Sequence, residues 1–336
     1  MKLASFVFAA AALFVLPSLV FAADPQLKIG IIGLDTSHAI AFTKELNSPK
    51  APAELANCRV VAVYPKGSPD IESSTSRVPG YIEQIKPLGV EVVDSIDELL
   101  KRVDCVLLET NDGRPHLEQA LPVFKAGKPV FIDKPLAGSL ADCIALFEAA
   151  KKHNCPMFSS SSLRYGKGTQ AARSGTLGKI THCEATSPAS IEKTHPDLFW
   201  YGIHGVEALF TVMGPGCQTA KRGTTADGKI EVVGQWSDNR VGIFREGKGY
   251  GGTAKGDKGE SPVGEYNGYR PLIVDIVKFF RSKQSPIAEE ETLEIYAFME
   301  AADESKRQGG AAVKLADVMA KAKPLAEKRL AELREK

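Results

Sequence analysis

The sequence predicts an α/β Rossmann-type doubly wound parallel sheet followed by an α+β domain with an open, mostly antiparallel sheet. Three observations carry the prediction. Over residues 27–162, short apolar runs alternate with helix-like stretches. The first of these runs ends in a glycine turn. Beyond about residue 163 the runs lengthen and are separated by Asp227-Gly228 and Asp238-Asn239. Strand-helix alternation builds a parallel sheet with helices on both faces, whereas strands joined by tight turns build an antiparallel one.

Ahead of the first run stands a short basic start, Lys2, and an apolar stretch over residues 3–21 broken by Pro17 and Ser18. Small residues then end at Ala22, the pattern of a secretory signal peptide cut after that residue. Pro17 and the small-residue exit argue against a membrane anchor, and no cysteine follows the cut to make a lipoprotein. The expected location is therefore periplasmic or secreted.

Apolar runs then fall at residues 27–33, 59–64, 105–108 and 129–132, and a fifth begins at Pro156. Between them, residues 96–102, 116–126 and 140–153 read as helices. These elements define a dinucleotide-binding domain over 27–162. Residues 163–336 form the substrate domain, with strands at 180–186 and 229–245 and helices at 196–213, 269–283 and 290–306. Residues 246–268, rich in Gly and Lys, read as a loop or a frayed strand pair. In the last helical stretch, 315–336, Pro324 is expected to kink the helix or start a second one.

Charge excludes one class of partner. The chain has 42 Lys and Arg against 41 Asp and Glu, and loss of Lys2 with the leader makes the balance zero. No basic stripe suggests nucleic acid, and no membrane contact is expected once the leader is gone. The C-terminal charges from Lys321 onward alternate in sign, as on a solvated helix face. The six cysteines are scattered and read as buried free thiols. The absence of C-x-x-C excludes zinc-ribbon and thioredoxin readings.

The turn after the first strand is where a Rossmann fold holds a pyrophosphate. Here it runs Gly30-Ile31-Ile32-Gly33-Leu34-Asp35-Thr36-Ser37-His38. With Gly33 as the first glycine of G-x-G-x-x-G, Asp35 and His38 stand at the other two glycine places. The turn survives, but Asp35 brings a side chain and a negative charge into the phosphate cradle. Thr36 and Ser37 can cap the next helix and offer hydroxyls. The second strand ends in Pro65 and Lys66 instead of the acid that binds an NAD ribose. Lys66 would favour a 2′-phosphate, hence NADP over NAD, or it belongs to a plain surface loop.

With these residues the chain resembles the glucose–fructose oxidoreductase / inositol 2-dehydrogenase (Gfo/Idh/MocA) family. The likeness runs from residues 28–33 through Thr110, Asn111 and His116 to the segment at 126–137. It continues through Leu163-Arg164-Tyr165 and residues 175–180. Its most specific part is Asp133-Lys134-Pro135-Leu136, which looks like the family's E-K-P-L. The resemblance implies NAD or NADP as cofactor, with Gly30, Gly33, Asp35, Thr36, Ser37, Lys66, Thr110, Asn111, His116, Asp133 and Lys134 around it. It also implies that Lys134 sits beside the nicotinamide and touches the reacting hydroxyl. The family's D-x-x-x-H acid/base motif looks like Trp200-Tyr201-Gly202-Ile203-His204 here, with Trp200 in place of Asp.

The residue types support that chemistry independently. Lys134 follows a strand, at the carboxyl end of the sheet where ligands bind, and an ammonium there can stabilise a developing alkoxide. Thr194 reads as the N-cap of the helix carrying His204, with Pro196 and Asp197 in its first turn. Asp197, Trp200, Tyr201, His204 and Glu207 then share a face. Aromatics on that face would stack on a sugar ring, and a neutral imidazole can take a hydroxyl proton. Arg164 and Tyr165 are expected in the same cleft as substrate contacts, joined by Lys193. His195, His204 and Glu207 give only three ligands where structural sites use about four, so no metal is expected. Three functions remain open: an NAD(P)-dependent oxidoreductase acting on a sugar or cyclic polyol; an enzyme that cleaves or epimerises a glycoside by transient oxidation with bound cofactor; and a non-catalytic sugar-binding protein. A small carbohydrate is the expected partner in all three. A homo-oligomer assembled through the C-terminal sheet is expected as well.

Overall fold

A computed structural model describes residues 26–333, so the leader expected over residues 1–22 lies outside the described residues. The first half lays down β1 (Leu27–Ile32), α1 (Ser37–Leu46), β2 (Cys58–Tyr64), α2 (Glu72–Thr75), α3 (Val78–Ile85), β3 (Glu91–Val92), α4 (Ile96–Leu100) and β4 (Cys105–Leu108). It continues with α5 (His116–Lys125), β5 (Val130–Asp133), α6 (Leu140–Lys152) and β6 (Met157–Ser160). The six strands pair in the order β3-β2-β1-β4-β5-β6. Every pair is parallel, with Ile31 opposite both Val63 and Leu107. The order reverses between β1 and β4, and that switch point is where an open α/β sheet opens a crevice.

Alternation of side chains along each strand divides the core. Ile29, Ile31, Val63, Leu107, Phe131 and Phe158 face α1. Ile32, Val106, Leu108, Val130 and Ile132 face the other way, onto α5 and α6. Gly30 lies inside β1, and a Cβ there would come 2.7 Å from Leu99 Cδ2. It is a helix-packing glycine and not, as the resemblance implied, a cofactor contact.

The second half supplies α7 (Lys167–Arg173), β7 (Ile180–Ser187), α8 (Asp197–Trp200), α9 (Ile203–Met213), β8 (Cys217–Thr224), β9 (Ile230–Trp236) and β10 (Val241–Glu246). Then come β11 (Gly251–Gly256), β12 (Gly259–Pro262), α10 (Arg270–Ser282), α11 (Glu289–Arg307), β13 (Val313–Lys314) and α12 (Leu315–Glu332). Its seven strands run β12-β11-β7-β10-β9-β8-β13, and only β7 and β10 pair in parallel. α9 lies so close to this sheet that a Cβ at Gly205 would meet Phe244 at 2.6 Å. α10, although late in the chain, returns to the first sheet. Leu272, Ile273, Ile276 and Phe279 pack in the same cluster as Phe131 and Phe158.

Local expectations changed in three places. The helix expected over 196–213 is two, broken at Tyr201 (φ −132°, ψ −31°), and Thr194 caps neither. Residues 246–268 hold a true hairpin, β11 with β12. Pro324 lies inside the single helix α12, neither ending nor restarting it. All six cysteines are buried and unbridged.

Candidate active site

The site grows out of four strand ends. After β1, Gly33 takes φ +90°, and a Cβ there would collide with the backbone of Thr110 at 2.4 Å. Only glycine allows β1 and β4 to approach so closely at the switch point. Thr36 is the N-cap of α1, its hydroxyl oxygen accepting from the His38 amide at 3.3 Å. Ser37 is exposed at the helix start. After β4 come Glu109, Thr110, Asn111 and Asp112; after β5 come Asp133 and Lys134; after β6 come Ser160 and Ser161.

Beyond these ends Lys134 comes close enough to His204 for its charge to act on the imidazole. His204 is 5% exposed, and its Nδ1 lies 2.7 Å from Ser161 Oγ, which also accepts from the Leu163 amide. Burial drives the His204 pKa well below the ordinary 6.5, and the charges of Lys134 and His38 push the same way, so the imidazole is neutral at neutral pH. Aromatic rings surround the imidazole. Tyr201 and Tyr250 stand 5.1 and 5.9 Å from the His204 ring, with their hydroxyls 3.1 Å apart. Tyr250 leads to Tyr266 (6.2 Å), Tyr266 to Tyr269 (5.5 Å), and Tyr269 to His38 (4.6 Å). Rings with polar tips in a continuous arc suit a ligand that is apolar on its faces and hydroxylated at its rim.

A second group sits at the base of the turn. His38 Nδ1 lies 2.7 Å from Asp133 Oδ2. Burial raises the Asp133 carboxyl, but His38 and Lys134 outweigh it and hold the group below the usual carboxylate range. Glu109 is completely buried, and burial followed by the Asp133 charge pushes its carboxyl well up.

Several expected contacts are structural instead. Arg164, 3% exposed, is held by Glu207 (2.6 Å) and Glu291 (2.7 Å), so neither Arg164 nor Glu207 offers its charge to a substrate. Asp197 pairs with Arg222 and Lys306, because the break at Tyr201 turns α8 away from the line of α9. Trp200 packs on His195 at 4.9 Å. His116 is fully buried, its ring nitrogens 3.0 Å from the Leu136 carbonyl and 2.8 Å from the Thr110 carbonyl, so it holds two loops together. The Thr110 hydroxyl is engaged by Gln119 at 2.8 Å. Tyr165 lines a hollow together with Glu45, Tyr269 and Arg270. Lys193 is exposed.

Asp35, the misfit in the glycine pattern, is fully buried. It accepts from Ser74 Oγ (2.7 Å) and from the Asn111 amide (2.9 Å), so its side chain is turned into the protein and ties α2 to the loop after β4. Asp112 likewise gathers Ser68 (2.6 Å), Arg114 (2.7 Å) and His195 (3.1 Å). A cavity of about 450 Å³ opens at the end of β2, lined by Tyr64, Lys66, Thr75 and Asp94 among others. Backbone and shape therefore fit a dinucleotide: the Gly33 turn and capped α1 for the pyrophosphate, and the β2 cavity with exposed Lys66 for the adenosine half. Three acidic side chains, Asp35, Glu109 and Asp133, are buried beside that turn.

The sequence reading missed Asp112, Glu109, Ser161, Tyr250, Tyr266 and Tyr269. Glu109 alone carried a signal, as a charge directly after the fully apolar run of β4.

Comparison with known proteins agrees with the fold. Residues 27–161 match the family model GFO_IDH_MocA, described as an oxidoreductase family with an NAD-binding Rossmann fold. An uncharacterized oxidoreductase of Streptococcus pneumoniae serotype 4 is 27% identical over 192 residues, 48% of this chain and 52% of that protein. An inositol 2-dehydrogenase of Serratia proteamaculans is 33% identical over 119 residues, 33% of this chain and 35% of its own length. The chain thus spans about half or less of the length of these curated relatives. Scyllo-inositol dehydrogenase of Lactobacillus casei, solved with bound NAD(H) and scyllo-inositol, superposes with a TM-score of 0.66 at 18% identity, covering 87% of this chain and 99% of that one. At that identity the likeness shows the fold.

Proposed function

We propose, from the premise that this chain belongs through residues 27–161 to the Gfo/Idh/MocA oxidoreductase family, that it oxidises a secondary alcohol of a sugar or cyclic polyol with a nicotinamide nucleotide. The observation that carries this reading is the closeness of Lys134 to a neutral His204 whose ring is flanked by Tyr201 and Tyr250.

The nucleotide, when bound, supplies the acceptor for the hydride that leaves the alcohol carbon. The Gly33 turn, the α1 N-terminus with Ser37 and the Lys66 cavity would hold it. The chain's own residues do the rest. With Nδ1–H donating to Ser161 Oγ, His204 presents Nε2 to the substrate hydroxyl and takes its proton. Lys134 donates to the same oxygen and stabilises the alkoxide character that develops as the proton leaves. Tyr201 and Tyr250 pack on the ring of the substrate and exclude water.

Calorimetry of the full chain with NAD and NADP tests the nucleotide half. Binding is expected, tighter for NADP, and Lys66→Glu should reverse the preference; failure to bind either nucleotide would overturn the oxidoreductase reading. A second reading, sugar binding without redox chemistry, is favoured by the carboxylates around the turn, and polyol binding without nucleotide binding would select it. The chain is also proposed to be exported, with N-terminal sequencing of the secreted form expected to begin at Ala23.

A further inference from the structure

Glu109 presents an accounting problem that the proposed reaction does not solve. Its side chain is completely buried, and neither carboxylate oxygen has a hydrogen-bond partner. Asp133 Oδ1, also buried, has none either. A buried unpartnered polar atom costs about 1–3 kcal/mol, and more when charged. Protonating Glu109 would remove its charge but leave an O–H and a carbonyl oxygen still unpaired. Neither helix packing nor strand pairing calls for a carboxylate there, since β4 is otherwise wholly apolar.

The neighbours of Glu109 explain the residue. One ligand atom each from His38, Glu109 and Asp133 lies within 4.8 Å of the others, and all three residues are buried. They come from three separate elements: the first turn of α1, the end of β4 and the end of β5. An ion bound at about 2.1 Å sets its ligands roughly 3 to 3.5 Å apart, a contraction that side-chain rotation can supply. We propose that His38, Glu109 and Asp133 form a binding site for a divalent first-row metal cation of the Zn²⁺ or Mn²⁺ class. One imidazole and two carboxylates suit that class, and three protein ligands leave a coordination position open. The cation gives the Glu109 oxygens their missing partner. The site does not depend on the hydride-transfer reading, because Glu109 lacks a partner whatever binds in the pocket above.

The residues are buried, so the ion is expected to enter during folding and to resist chelators in the native state. The test uses full-length, tag-free protein purified without metal-affinity resin. Elemental analysis should find a near-stoichiometric divalent metal. After unfolding in chelator, refolding with Zn²⁺ or Mn²⁺ should raise the thermal midpoint above that of protein refolded without metal. Co²⁺ should give visible ligand-field absorption. Glu109→Gln and His38→Gln, which keep the side-chain size close, should each weaken the metal by at least about 100-fold and abolish the midpoint shift. Should Glu109→Gln fail to fold, His38→Gln and the Co²⁺ spectrum of the wild type carry the test. Metal-free native protein with no metal-dependent shift on refolding would overturn the site, as would wild-type metal affinity in either variant. Nucleotide calorimetry on the metal-free and metal-loaded forms is read separately, so failure of the oxidoreductase reading would leave this result standing.

Discussion

Arg164 is enclosed by two carboxylates, with Glu207 at 2.6 Å and Glu291 at 2.7 Å, and Arg173 supports Glu291 from the other side at 2.9 Å. Removing the arginine leaves Glu291 with Arg173 and Glu207 with the Ser160 hydroxyl (3.0 Å) as its side-chain partner, and no cation beside it. Arg164→Ala should therefore destabilise the fold by about 3–5 kcal/mol, read as a lowered denaturant midpoint, while the folded fraction keeps its affinity for the substrate. A loss of affinity without loss of stability would return Arg164 to the pocket. At His204 the expectation concerns pH. The groups that face it are Lys134 and Asp133 from the end of β5, His38 from α1, Ser161 after β6, and the rings of Tyr201 and Tyr250. Its pKa lies below 6.5, so the base form persists through the neutral range. The acid limb of kcat/KM should fall below pH 6.5 and disappear from the residual rate of His204→Gln. An acid limb above pH 7 would contradict the assignment. The place of Lys134 at the end of a strand was legible from the apolar run before it, whereas His204 was expected on a polar face of one helix that the break at Tyr201 removes. Arg164 and Glu207 were misread because sequence cannot tell a charge aimed at a ligand from one aimed at a buried partner.

Elements were more readable than their ends. The parallel strands and long helices were plain from apolar alternation, whereas β3, two residues long, carries too little pattern to see. The face expected to hold Asp197 through Glu207 assumed one continuous helix. The chain breaks at Tyr201, and Asp197 instead joins Arg222 and Asp303 in an ion cluster where burial and the Asp197 charge push the Asp303 carboxyl up to about 6. Two substitutions test how the elements are held. Thr36→Ala removes the only side-chain cap of α1 and should cost about 0.5–2 kcal/mol. Pro324 is exposed within α12, and Pro324→Ala restores a backbone donor, so it should raise stability by up to about 3 kcal/mol. A lower unfolding temperature for Pro324→Ala would mean that the proline supports a contact that α12 needs.

At the scale of the whole molecule, the site exists because elements of both sheets meet around His204. The first sheet brings the ends of β1, β4, β5 and β6 to its switch point. The second sheet carries α9 on its face and so brings His204 to Lys134. Tyr250 and Tyr266 come to the arc from a segment whose Gly and Lys content masked its purpose, and Tyr269 joins them from the start of α10. That meeting depends on tertiary packing, including the return of α10 to the first sheet, which no local pattern encodes. The account's central claim is that this site removes a proton and a hydride from a ring alcohol. The measurement is reduced-nicotinamide absorbance in a single turnover of the full chain loaded with nucleotide, across a panel of inositols and hexoses. Substrate-dependent reduction by the wild type, lowered on the order of 100- to 10,000-fold in Lys134→Met and His204→Gln with both variants folded, is the predicted result. Reduction at the wild-type rate in either variant would contradict the claim, as would no reduction by nucleotide-loaded wild type with any polyol it binds.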